Sequence, residues 1–204
     1  MIKSIIKLLG TLVLSLYLMT SSQADDIRDF QIHEISLGDS LLQHFSNEEI
    51  ENFFKQENAI NYYPGSKKFF TLATFADPNQ KIYKQINFGL KKSDNEYIIH
   101  SLNGYVRMTY QKCLDESKSI FSDIKQLFDM KNFEENSYEK EHDMDPSGKS
   151  RMSAYDINFF DGNVVRIICT NWSKEFEADY YSDSLSVSIN SKIWADWIQN
   201  EAYE

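Results

Sequence analysis

A chain of 204 residues with 31 acidic and 21 basic side chains carries a formal net charge of −10. Such a surface repels phosphate backbones and anionic lipid, which argues against nucleic acid and membrane surfaces as partners. A hydrophobic fraction of 42%, a third of it aromatic, still allows a substantial core.

The chain opens as an export signal does. Lys3 and Lys7 precede an apolar run from Leu8 to Met19, and Ser22-Gln23-Ala24 offers small residues for cleavage. That run falls short of the roughly 20 apolar residues a membrane span needs. Residues 1–24 are therefore read as a signal peptide, with a mature protein starting at Asp25 in the periplasm or outside the cell. About 180 residues remain, enough for one globular unit. No later stretch is long and apolar, so no membrane span is expected after cleavage. Two cysteines in an oxidising compartment imply one disulfide.

From Phe30 to Leu37 the chain is a lead-in with imperfect alternation, and Gly38-Asp39-Ser40 opens a helical turn carrying Leu41, Leu42 and Phe45. Ser46 and Glu49 form a capping box for a helix from Asn47 that carries Ile50, Phe53 and Phe54. Tyr63-Pro64-Gly65-Ser66 is read as the end of this helical part. Three strands are expected next: Lys68 to Ala76, Lys81 to Leu90, and Tyr97 to Thr109 with Gly104 as a bulge or bend. Asp77-Pro78-Asn79 and Lys92 to Asn95 supply the turns between them.

The stretch Tyr110 to Phe128 is the strongest helix in the chain. Cys113, Ser117, Ile120, Phe121, Ile124, Leu127 and Phe128 share one face at helical spacing. The acidic stretch that follows, Glu134 to Lys149, has few apolar residues and is expected to be a mobile loop. Strands are then expected at Met152 to Phe160 and Asn163 to Trp172, joined by the hairpin signal Asp161-Gly162. Leu185, Val187 and Ile189 alternate with Ser184, Ser186 and Ser188, a half-buried strand with a small polar outer face. A last helix, from Ser191 to about Glu201, puts Ile193, Trp194, Trp197 and Ile198 on one side, with the two tryptophans docking it to the core.

Cys169 shares an inward strand face with Ile167 and Val165. If the Cys113 helix lies on that sheet the two sulfurs meet, so the expected disulfide is Cys113–Cys169. The fold expected is α+β: an antiparallel meander sheet with helices on one face and a C-terminal helix. Its element order is that of two helix-plus-three-strand halves, 25–110 and 111–204, within one globular unit.

That order is similar to the tandem helix-plus-hairpin layout of small exported binding proteins such as the β-lactamase inhibitor proteins. The segments ISLGDSLLQHFS, YYPGSKKFF, the Cys113 helix, DPSGKS and CTNW together resemble a group of uncharacterised exported proteins of alphaproteobacteria, marine ones in particular. The resemblance covers most of the mature chain and implies export, but no activity and no binding residue.

Motifs for chemistry are sparse. Gly148-Lys149-Ser150 lacks the earlier glycine and preceding strand of a phosphate-binding loop. Asp143, Asp145, Ser147 and Gly148 imitate the first half of a calcium loop, but the last ligand position is Ala154. The four histidines are scattered, no serine sits in a nucleophile turn, and paired cysteines cannot act as thiolates. No cofactor or metal is expected.

What remains is the sheet face away from the helices, with Tyr83, Tyr105 and Arg107 in the first half and Arg166 and Trp172 in the second. Tyr, Trp and Arg are the residue types that most often anchor interfaces. The function expected is a non-catalytic exported protein holding a protein or envelope component against that face. The alternatives are a small-ligand binder with a pocket between helices and sheet, and a soluble hydrolase using a carboxylate pair.

Overall fold

A computed structural model describes residues 27–75, 83–177 and 181–204, with Phe75 in backbone only. The expected signal peptide, the Asp77-Pro78-Asn79 turn and Ile82 lie outside the described residues. Over the described residues the fold is α+β, an eight-stranded antiparallel sheet with a separate two-stranded ribbon and four helices.

The lead-in folds as a tight hairpin of β1 (Gln31–Ile32) and β2 (Ile35–Ser36). Its two central residues, His33 and Glu34, both take positive φ, as a two-residue hairpin turn demands. Ser40 then caps a short 3-10 turn at Leu41–Gln43. Helix α1 (Asn47–Lys55) starts at the capping box, with Ser46 Oγ accepting from the Glu49 N–H and Glu49 accepting from the Ser46 N–H.

Strands β3 (Ile60–Asn61), β4 (Phe69–Phe75), β5 (Gln85–Lys91) and β6 (Ile99–Arg107) form a first meander. Helix α2 (Tyr110–Leu127) follows. Then β7 (Phe133–Glu141), β8 (Arg151–Phe159), β9 (Val164–Asn171), the four-residue helix α3 (Lys174–Glu177) and β10 (Ser184–Asn190) build a second meander. Helix α4 (Lys192–Asn200), capped by Ser191, closes the order. Each half thus contributes four strands to the main sheet where three are expected, because β3 is too short to register as a pattern and β7 has the composition of a loop. The two meanders meet through β6 and β10, giving the order β3-β4-β5-β6-β10-β9-β8-β7.

One row of side chains shows what holds the sheet. Leu72, Phe88, Leu102, Ile189, Val165 and Ile157 stand in register across six strands, and all six are fully buried. Burying each contributes roughly 1.5–3 kcal/mol before entropy is set against it. Helices α1 and α2 lie on this face. Cys113, Ser117, Ile120 and Ile124 are the buried residues of α2, as the spacing predicts, and Phe121 stacks on Tyr155 of β8 with centroids 4.7 Å apart. Cys113 and Cys169 are bonded, with Cα atoms 5.6 Å apart.

The expectation of helices on one face holds for α1 and α2. Helix α4 lies across the opposite face, where Trp194 and Trp197 pack on Phe69 in a cluster of their own. Gly89 makes room for it, since a side chain there would run into the Trp194 ring. The Tyr63–Ser66 segment therefore does not end a helix, for α1 stops at Lys55. It clamps the C-terminal turn instead: Gly65 and Ser66 donate to the carbonyls of Ala202 and Glu201.

Two local expectations are corrected. The bulge sits where β5 and β6 slip register at Gly89/Leu90, and Gly104 stays in register opposite Ile86 and Val187. That slip places Ile99 in the core. Only the second half of the acidic stretch, from His142 on, is a loop: residues 133–141 are a regular strand paired with β8 over its whole length.

Candidate functional site

The face away from α1 and α2 carries the alternate residues of the same strands. Beyond the end that α4 covers, one row reads Gln85, Tyr105, Ser186, Ile168, Ala154 and Tyr138. The next reads Asn87, Asn103, Ser188, Arg166, Asp156 and Asn136. With strands about 4.8 Å apart, Tyr105 and Tyr138 stand roughly 19 Å from each other across Ser186, Ile168 and Ala154.

Neighbouring amides and hydroxyls on this face are bonded to each other. Ser186 Oγ donates to Asn103 Oδ1 at 2.8 Å, Gln85 Nε2 to Asn87 Oδ1 at 2.7 Å, and Asn190 Nδ2 to Ser188 Oγ at 3.2 Å. Arg166 grips the buried Asp156 with both prongs, at 2.7 and 2.9 Å. The bonds to Asp156 raise the guanidinium pKa further, so Arg166 stays charged and its charge is spent on the buried carboxyl beside it. The face is polar, but carries little net charge at its centre.

Of the five aromatic and arginine residues expected here, four reach this side or its end. Tyr105 and Arg166 stand in the rows just given, and Arg107, which is exposed, follows Tyr105 two residues on. Trp172 lies just past the end of β9, where its N–H donates to Asp183 Oδ1 at 2.8 Å. Tyr105 Oη donates to the Ser182 carbonyl at 3.2 Å, so the 182–183 segment ties both residues together. The Trp172 ring meets His142, Tyr181 and Phe176 at centroid distances of 4.2, 4.5 and 5.6 Å. Beside it an open depression of about 560 Å³ is bounded by Asn171, Ser173, Lys174 and the Lys149–Glu175 ion pair.

Tyr83 is the correction. It precedes β5 and lies in the core, 6% exposed, with its ring over Gly104, where any side chain would collide with it. Burial pushes its phenol pKa up to about 12. Its alternation with Gln85 and Asn87 does not extend back past the strand's first residue.

The calcium look-alike serves a different purpose. Asp145, 4% exposed, accepts from the Ser147 N–H, the Ser150 N–H and Ser150 Oγ at 2.9, 3.0 and 2.6 Å. Ser150 Oγ in turn accepts from the Ser173 N–H at 2.9 Å, next to Trp172. Asp143 pairs with Lys140, and Ser147 Oγ accepts from the Lys149 N–H. The turn is a strut that positions Trp172, and among the described residues no three His, Cys, Asp or Glu side chains gather to hold a metal.

Hydrogen bonds from Ser147 and Ser150 hold the Asp145 carboxyl far below the usual carboxylate range. A depressed carboxylate adds stability above its unfolded pKa of about 3.9, and that stability is lost as pH falls from there through the folded value. Below about pH 4 the melting temperature of the native protein should therefore fall more steeply than that of Asp145→Asn, which is already weakened at neutral pH. Thermal unfolding at pH 7 and pH 3 by circular dichroism measures this, and parallel losses in the two proteins would contradict it.

Sequence reading missed Tyr138, hidden in the supposed loop, and the pairing of Asp156 with Arg166. The alternation of serines 184, 186 and 188 was the legible signal for the polar rows. Fold and site together define an antiparallel α+β protein with one sheet face packed and much of the other open and polar. No family model, curated protein or solved structure matches the chain.

Proposed function

We propose that the protein is a non-catalytic, exported binding protein that holds an envelope component against its open sheet face. The observation that carries this is the face between Tyr105 and Tyr138, where Ser186, Ser188, Asn103 and Asn136 stand beside Ile168 and the mutually paired Arg166 and Asp156. Amides and hydroxyls both donate and accept, and tyrosine rings offer flat apolar surface. That combination suits a neutral, hydroxyl-rich chain such as a glycan better than a charged ligand. The buried disulfide fits an oxidising compartment, and no helix among the described residues is long and apolar enough to cross a membrane.

Isothermal titration with oligomers of N-acetylglucosamine tests the reading. Binding is expected to the native protein and lost in Ser186→Lys, which plants a long cation mid-row, with the melting temperature unchanged. No binding, or equal binding by Ser186→Lys, would overturn it. Cell fractionation tests export, and a cytoplasmic protein with two free thiols would overturn that part.

A further inference from the structure

The sheet has two outer edges, and they differ. On one side β3 is only two residues long. On the other, β7 runs nine residues in continuous register with β8, without proline, glycine or bulge. Its backbone bonds can be assigned by parity. Phe160 N–H donates to the Asn132 carbonyl and His142 N–H to the Ser150 carbonyl, so the even-numbered residues of the 132–142 run bond to β8. The odd residues Glu135, Ser137, Glu139 and Glu141 turn their N–H and C=O groups outward. Among the described residues no strand pairs with them.

Proteins protect such an edge with short strands, bulges, prolines or charge. Only charge is used here, and it is of one dominant sign: Glu134, Glu135, Glu139 and Glu141 against Lys140. Single-sign protection is selective. It repels other copies of this acidic chain, because in an antiparallel β7–β7 pair centred on Ser137 each Glu135 would face a Glu139. It does not repel a cationic strand. The ion pairs already made there, Glu135 with Lys125 and Glu139 and Glu141 with Arg151, involve carboxylates that are 47–67% exposed, and surface pairs of this kind compete weakly.

We infer that the outer edge of β7 is a strand-addition site for an extended segment of another protein with Lys or Arg at alternate positions. Main-chain bonds to Glu135, Ser137, Glu139 and Glu141 supply the affinity, and the carboxylate row selects the charge. This surface is separate from the open sheet face, and neither proposal depends on the other.

Fluorescence anisotropy with a labelled peptide of alternating lysine and threonine, matched to β7 in length, tests it in low-salt buffer. The peptide should bind the native protein. Methylating its backbone nitrogens at alternate positions should weaken binding by at least about tenfold, as lost main-chain bonds require. Ser137→Pro should do the same, because it removes an outward N–H without touching the ladder to β8, and its melting temperature should match the native one. Undiminished binding of the methylated peptide would reduce the effect to bulk charge and overturn the inference. Equal binding of an alternating glutamate–threonine peptide, no binding at all, or concentration-dependent dimerisation of the protein through β7 would overturn it too.

Discussion

Breaking the Cys113–Cys169 bond should lower the melting temperature by roughly 8–16 °C, with secondary structure retained at room temperature. The bond spans 56 residues, and for a loop of that length the chain-entropy estimate is about 4 kcal/mol. The span covers most of α2, all of β7 and β8 and nearly all of β9, so without the bond this part of the unfolded chain regains its freedom at once. Both cysteines are completely buried, which means that reductant acts only through opening of the fold. The clean comparison is therefore the double variant Cys113→Ser, Cys169→Ser against native protein, by differential scanning calorimetry. A melting point within about 2 °C of native would show that the bond adds little. Mass spectrometry after alkylation of unreduced protein should find neither cysteine modified.

Trp197→Ala should cost about 3–5 kcal/mol, a large share of the stability of a domain this size. Trp197 is fully buried, and its ring meets Tyr63, Trp194 and Phe69 at 5.0, 5.1 and 5.2 Å in edge-on or tilted contacts. Removing it guts the small apolar cluster through which α4 packs on the far side of the sheet. Trp197→Phe should cost much less, because among the described residues the buried indole N–H has no hydrogen-bond partner to lose. Urea titration gives both midpoints, and amide exchange along α4 shows whether the helix detaches before the sheet unfolds. A native midpoint for the alanine variant would mean that the helix is held by something else.

What could be read from the chain follows from how each signal is generated. Val165, Ile167 and Cys169 face inward because a strand covered on one face alternates strictly, and α2 shows its stripe because one side of it is buried. Both are local records of burial. Strand β7 leaves no such record: seven of its nine residues are exposed, since an edge strand meets solvent on both faces, and charge then reads as loop. Trp194 and Trp197 announced that α4 docks, but which face receives it depends on Gly89 and Phe69, over a hundred positions away in sequence. Tyr83 was misplaced because strand parity was carried past the strand's end onto a residue whose seat is made by a distant glycine. The polar rows were visible only as single strands, because which strands stand side by side is decided by pairing at long range.

The junction of the two meanders also sets a timetable. Strand β10, the last to be synthesised, is the one that sits between β6 and β9. A chain emerging N-terminus first can zip β3 to β6, and later β7 to β9, through neighbouring hairpins. Each of these sheets then waits with a long unpaired edge, β6 in one and β9 in the other, until residues 184–190 arrive to fill both at once. The finished sheet is thus keyed by its final strand, as an arch is by its keystone, and it stays in two parts until residues 184–190 have been made.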